Sequence, residues 1–174
     1  MMRLARVFHH DGGAAAAEMV LVLPFLLVLM FGSAEMGNYF LDEHGLVKQV
    51  RDGARYASRI PLEANYTCPN TVNPAAKTLI ENVTKTGTVG GTGNGRFDSD
   101  YWARTCTGVA DPITVSIRCV SNDDYDGIYQ SLEGDIPIVK VTAAVSYRSV
   151  LGSLGLPTAN LCLRAESEMA VVGS

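Results

Sequence analysis

From Met19 to Ala34 the chain carries no charged side chain. With the alanines that precede it the uncharged stretch, broken only by Glu18, spans about 21 residues, close to the ~20 that cross a ~30 Å hydrocarbon core as helix. Histidine is scarce: of three, His9 and His10 precede the apolar run and His44 follows it, so no imidazole serves the remaining two thirds of the chain as base or metal ligand. This removes the commonest catalytic constellations, and the carboxylates that could replace them cluster in one loop only, so no enzyme is expected. Cysteine is absent from the apolar run, and no two cysteines have the close CxxC spacing of a zinc site or redox motif. Internal repeats and long disordered tracts are also missing. The glycine-rich residues 87–95 lack the Gly-Lys-Ser or Gly-Lys-Thr ending of a phosphate loop and open no predicted helix. At 174 residues and net charge −4, there is room for one membrane helix and one domain of about 110 residues, and no nucleic-acid partner is expected.

What is present begins with Glu18. An ionised carboxylate in lipid costs several kcal/mol, so a glutamate inside such a segment calls for a partner. Residues 1–13 form a short leader whose fixed positive charges are Arg3 and Arg6. A secretory signal has its apolar region before the cleavage site and loses it. Here the candidate cut, Gly13 before Ala14, comes first, and processing would leave the apolar helix on the mature chain. Glycine, a small residue, glutamate and an immediate apolar run resemble a type IV prepilin. In that family a membrane peptidase cuts after the glycine, and a glutamate five residues into the mature chain, here Glu18, neutralises the new α-amino group of a neighbouring subunit. The bland alternative is an uncut signal anchor. Ala14 departs from the phenylalanine or methionine usual after the cut in type IVa pilins and type II secretion pseudopilins.

Three further stretches narrow the resemblance: Leu21-Val22-Leu23-Pro24-Phe25-Leu26-Leu27, Phe31-Gly32-Ser33-Ala34-Glu35-Met36-Gly37 and Arg51-Asp52-Gly53-Ala54-Arg55-Tyr56-Ala57. Together they are similar to the TadE-like family, pseudopilins or minor pilins of the tight adherence, Flp-type pilus system. The resemblance covers roughly the first third of the chain. It implies insertion in the bacterial inner membrane, cleavage by a prepilin peptidase, and other pilins and the pilus assembly machinery as partners.

Residues from Ala14 to about Ile60 read as one helix of ~70 Å. Residues 14–35 are its membrane part. Over 36–60 it turns amphipathic, with Met36, Tyr39, Phe40, Leu46, Val47, Val50, Ala54 and Ala57 at helical spacing and Asp42, Lys48 and Arg51 between them. Such a stripe packs on the protein's own domain more often than on a partner. Pro61 should stop the helix, because proline disfavours helical geometry in the residue before it. Pro24 should merely kink it. Arg3 and Arg6 before the span and Glu35, Asp42 and Glu43 after it put the N-terminus in the cytoplasm and the body in the periplasm, although Lys48, Arg51, Arg55 and Arg59 also follow.

Residues 61–174 are expected to form an α+β, pilin-like head dominated by antiparallel sheet. A short helix is predicted over residues 75–85, where Ala76, Leu79, Ile80 and Val83 share a face. Ile113, Val115, Ile117 and Cys119 alternate with polar residues, as do Val139, Val141, Ala143, Val145 and Tyr147, and then Leu163, Ala165, Met169 and Val171. Tyr101 and Trp102 are simplest as core. Four cysteines, Cys68, Cys106, Cys119 and Cys162, all in the exported part, point to two disulfides. Three pairings are open, with Cys106–Cys119 preferred because residues 107–112 could join two adjacent strands.

Asn122, Asp124, Asp126, Gly127 and Glu133 follow the spacing of an EF-hand calcium loop. Asparagine stands at its first position, however, and the loop joins strands instead of helices. A solvated acidic connection is therefore favoured over calcium, which is the one cofactor kept open. Asn65-Tyr66-Thr67 and Asn82-Val83-Thr84 fit glycosylation acceptors, a triplet that arises often by chance. The expected function is assembly of tight adherence pili. The alternative is a membrane-anchored periplasmic binding module, calcium-dependent if the acidic loop holds an ion, that never enters a filament.

Overall fold

The computed structural model describes residues 11–122, 129, 134–153, 155 and 161–173. The first helix, α1, runs Asp11–Ala57, and the chain divides into two units, Met1–Asn38 and Tyr39–Ser174, with α1 contributing residues to both. In the first unit every large apolar side chain of residues 19–31 is at least 40% exposed. Twelve such side chains within thirteen consecutive residues cannot face water without association, and they suit a lipid solvent. Pro24 lies inside the helix, as expected. Ser33, a hydroxyl in the same apolar stretch, donates to the Met30 carbonyl at 2.9 Å, so its polarity is satisfied within the helix.

In the second unit α1 becomes part of a core. Leu46, Val50, Ala54 and Ala57 are fully buried at the i, i+4, i+8, i+11 spacing of one helical face. The expected stripe is thus narrower than it reads in sequence. Phe40 is 49% exposed, since 100° per residue sets it ~120° around the helix from Leu46. Met36, in the first unit, is exposed as well. The helix ends four residues before Pro61, and its last turn is satisfied by a long-range partner: the Tyr66 hydroxyl donates to the Ala57 carbonyl at 2.6 Å.

Beyond α1 come α2 (Leu62–Asn65), a small antiparallel hairpin of β1 (Tyr66–Thr67) and β2 (Thr71–Val72), and α3 (Pro74–Thr86). Helix α3 starts where its chemistry says it should. Asn73 accepts a hydrogen bond from the Ala75 amide at 2.9 Å, and Pro74 occupies the first helical position, where a missing N–H is harmless. Its apolar face, Ala76, Ile80 and Val83, is buried; Leu79, also expected there, is half-buried. A short α4 (Ser99–Trp102), capped by Asp98, places Tyr101 and Trp102 in the core.

Three antiparallel strands complete the head: β3 (Ile113–Val120), β4 (Ile136–Ser146) and β5 (Cys162–Ala170), in the order β3-β4-β5, with α5 (Val150–Ser153) between the last two. Val115 lies opposite Val141, and Val141 opposite Ser167; Ala143 lies opposite both Ile113 and Ala165. Ile113, Val115, Ile117, Val139, Val141, Val145 and Leu163 give one dry face. The other face is held by cross-strand charges, with Lys140 at 2.8 Å from Glu166 and Arg118 at 3.4 Å from Glu168. The hydrogen bond to Glu166 raises the Lys140 ammonium above its ordinary range. Three backbone bonds tie down the C-terminal segment: Val171 N–H to Pro137, Val172 N–H to Ser58, and Leu62 N–H to the Gly173 carbonyl.

Candidate functional site

Gly13, Ala14 and Glu18 all lie on α1. Glu18 is exposed, and the apolar residues that follow it are exposed too. The helix therefore presents a carboxylate at the border of an uncharged surface, an arrangement suited to pairing with a cation on another molecule. Arg3 and Arg6 lie outside the described residues.

The third family-like stretch, residues 51–57, behaves differently. Gly53 faces α3, and a Cβ built on it would overlap the Thr84 hydroxyl. Only glycine lets the two helices approach this closely. Thr84 is itself fully buried and donates to the Ile80 carbonyl at 2.8 Å, which fixes its rotamer against Gly53. Asp52 and Arg55 form an exposed pair at 3.8 Å on the outer face. In sequence the only sign of this contact is a glycine inside a helical pattern.

A second cluster escaped the sequence altogether. Asp42 on α1 lies 3.7 Å from Arg96 and accepts a 3.5 Å hydrogen bond from the Tyr101 hydroxyl, while Phe97 stacks on Tyr101 at 4.2 Å. Burial raises the Asp42 carboxyl above its ordinary range, an effect that Arg96 and the two hydrogen bonds only partly offset. Burial likewise pushes the Tyr101 phenol up, and the neighbouring Asp42 adds to it.

The structure joins Cys68 to Cys119 and Cys106 to Cys162, with Cα separations of 5.9 and 5.8 Å. The preferred Cys106–Cys119 pairing is thereby overturned, for a reason in the sheet register. Cys119 lies opposite Pro137 near the start of β4, whereas Thr105, beside Cys106, bridges Val145 near its end. Eight residues of strand, ~26 Å, separate those two ends. Cys162 lies opposite Ser146 at the Cys106 end and is the partner within reach.

Of the calcium candidates, Asp124, Asp126, Gly127 and Glu133 lie outside the described residues. Asn122 donates through its amide to the Tyr129 carbonyl at 2.7 Å. Among the described residues no group of three or more His, Cys, Asp or Glu is arranged to hold a metal ion. In the two acceptor triplets, Asn82 donates to the Val89 carbonyl and Asn65 to the Pro61 carbonyl; Thr67 is exposed, whereas Thr84 is buried.

Among the described residues one helix is long and apolar enough to cross a membrane, within Ala16–Ala57, and a disulfide-closed α+β unit follows. These features are consistent with a protein anchored by a single span. Residues 13–55 match the family model described as TadE-like protein, so that segment is similar to this family. Such a match implies a role in tight adherence, Flp-type pilus systems and partners drawn from them. No curated protein and no solved structure matches the chain.

Proposed function

We propose that the protein is a pseudopilin or minor pilin that takes part in assembling tight adherence pili. It is inserted once in the bacterial inner membrane, with a cytoplasmic N-terminus and a periplasmic head, and is cut after Gly13 by a prepilin peptidase. One observation carries this: the TadE-like match begins at residue 13, the glycine of the candidate cut, and takes in Glu18 and the whole apolar run. The exposed Glu18 supports it, as a carboxylate bordering lipid needs a cation, and the new α-amino group of Ala14 on a neighbouring subunit supplies one. Its work is structural, with no turnover.

The test is the intact mass of the native protein from cells with an active prepilin peptidase. We expect a chain starting at Ala14, and accumulation of the uncut precursor for Gly13→Leu, whose branched side chain does not fit a site that takes only a small residue. A native chain still carrying residues 1–13 would favour the anchored binding module instead.

A further inference from the structure

We propose that the Tyr39 end of the head is seated in the bilayer surface, with Phe40, Leu41, Val150 and Leu161 entering the headgroup layer of the membrane that α1 crosses. The proposal rests on the single-span reading of α1 given above. Among the described residues, six large apolar side chains of the second unit are more than 40% exposed: Phe40, Leu41, Val89, Val150, Leu161 and Val172. Four of the six gather at one end. Phe40 and Leu41 directly follow Tyr39, the first residue of the unit, and the Phe40 ring meets the Tyr39 ring edge-on at 5.9 Å. The Tyr39 ring meets Tyr147 in the same way at 5.2 Å. The Tyr147 N–H donates to the Leu161 carbonyl at 2.8 Å, and Val150 lies three residues beyond Tyr147, at the start of α5.

Continuity with the membrane segment names what covers this end. Ala34, the last residue of the uncharged run, is five residues before Tyr39. As helix those residues rise ~7.5 Å, about the thickness of one headgroup layer, since a ~30 Å core becomes ~40–45 Å with both layers. Tyrosine favours that level, its ring among the acyl-chain ends and its hydroxyl in water. Apolar side chains fixed at the same level gain by leaving water.

The charges at this end are of both signs. Arg148 is exposed beside Tyr147, and Arg104 accepts the Ser146 N–H through its carbonyl; Glu35, Asp42 and Glu43 lie on α1, with Asp42 engaged by Arg96. Attraction to anionic lipid is therefore not the driving force, and the contact should persist in salt that screens charges. A second protein is the other candidate occupant. Chain connectivity, however, holds this end at the bilayer in every copy, before any partner arrives.

All native cysteines are in disulfides, so a cysteine introduced in the full-length protein is the single thiol open to a nitroxide label. Val150→Cys and Val172→Cys form the decisive pair, because the two valines are equally exposed, at 52%. The Val172 N–H donates to Ser58, next to the last residue of α1, which is ~27 Å along the helix from Tyr39. In phosphatidylethanolamine–phosphatidylglycerol vesicles the label at position 150 should collide more with oxygen than with a water-soluble nickel chelate, and the label at position 172 should show the reverse. A third label, on Phe25→Cys, reports the span itself. Water-like behaviour at position 150 with lipid-like behaviour at position 25 would overturn the seating alone; water-like behaviour at both would overturn the single-span reading with it. Three other results would also overturn the proposal: lipid contact at position 172 equal to that at 150, contact at 150 that vanishes in ~1 M salt, or contact that forms only when the protein is crowded in the vesicles, which would assign the patch to a neighbouring copy.

Discussion

Glu18 and Tyr66 illustrate two ways in which a single polar group is placed. Glu18 is exposed on α1 ahead of an uncharged run, so its replacement removes a charge that is costly in lipid. In the proposed filament, Glu18→Ala should be made, inserted and cleaved normally, yet cross-link poorly to other pilins and leave cells with few fimbriae. Normal piliation and unchanged cross-linking would count against the role given to Glu18. Tyr66 is buried, and its hydroxyl closes the end of α1 on the Ala57 carbonyl. Burial raises the phenol well above the ordinary value of 10.0, as it does for Tyr101. Above about pH 10 the unfolded chain loses these protons and the folded chain keeps them, so the unfolded state binds fewer protons and stability falls as pH rises. The denaturant midpoint should therefore be highest below about pH 10 and decline beyond it. Tyr66→Phe should lower stability at neutral pH by about 1–3 kcal/mol, through the unpaired Ala57 carbonyl, and flatten part of the alkaline decline. A profile equally steep in the variant would show that Tyr66 does not govern it.

Among the elements, α1 depends most on context. Its two parts obey different rules: one is apolar all round and exposed, the other has a single buried face ending at Ala57. Gly53 is the pivot of the second part, because α3 presses Thr84 against it. Gly53→Leu raises helix propensity, which alone would stabilise α1. Overpacking against a fully buried Thr84 should outweigh that gain and cost about 1–3 kcal/mol, read as a lower denaturant midpoint. Pairing it with Thr84→Ala should recover part of the loss; no recovery would mean that the two residues do not collide. The strands were more legible than the helix face. Ile113, Val115 and Ile117, and Val139, Val141, Ala143 and Val145, alternate in sequence and are buried in the structure, since a period of two leaves no freedom about which side a residue takes. The Asp42, Arg96 and Tyr101 cluster was not legible, because its members come from three separate segments and none follows a local pattern.

Across the head, the two bridges close loops with sequence separations of 51 and 56 residues, one joining the turn of the β1-β2 hairpin to β3 and the other joining the segment before β3 to the start of β5. Loops of that size correspond to about 4 kcal/mol each in the chain-entropy account. Non-reducing peptide mapping should recover Cys68 linked to Cys119 and Cys106 linked to Cys162, with no free thiol, and reduction should lower the unfolding midpoint. Recovery of Cys106 linked to Cys119 would contradict the strand register. Local chemistry in the sequence determined the apolar run after Glu18, the TadE-like stretches, the α+β class and the faces of the strands, because each depends on the order of neighbouring residues along the chain. The tertiary structure alone decided which cysteines pair, that Gly53 is a contact between helices, that Phe40 leaves the packed face, and that Asp42 meets Arg96 and Tyr101. Those outcomes depend on which distant segments meet, and the cooperative burial of a core, not any local period, selects them.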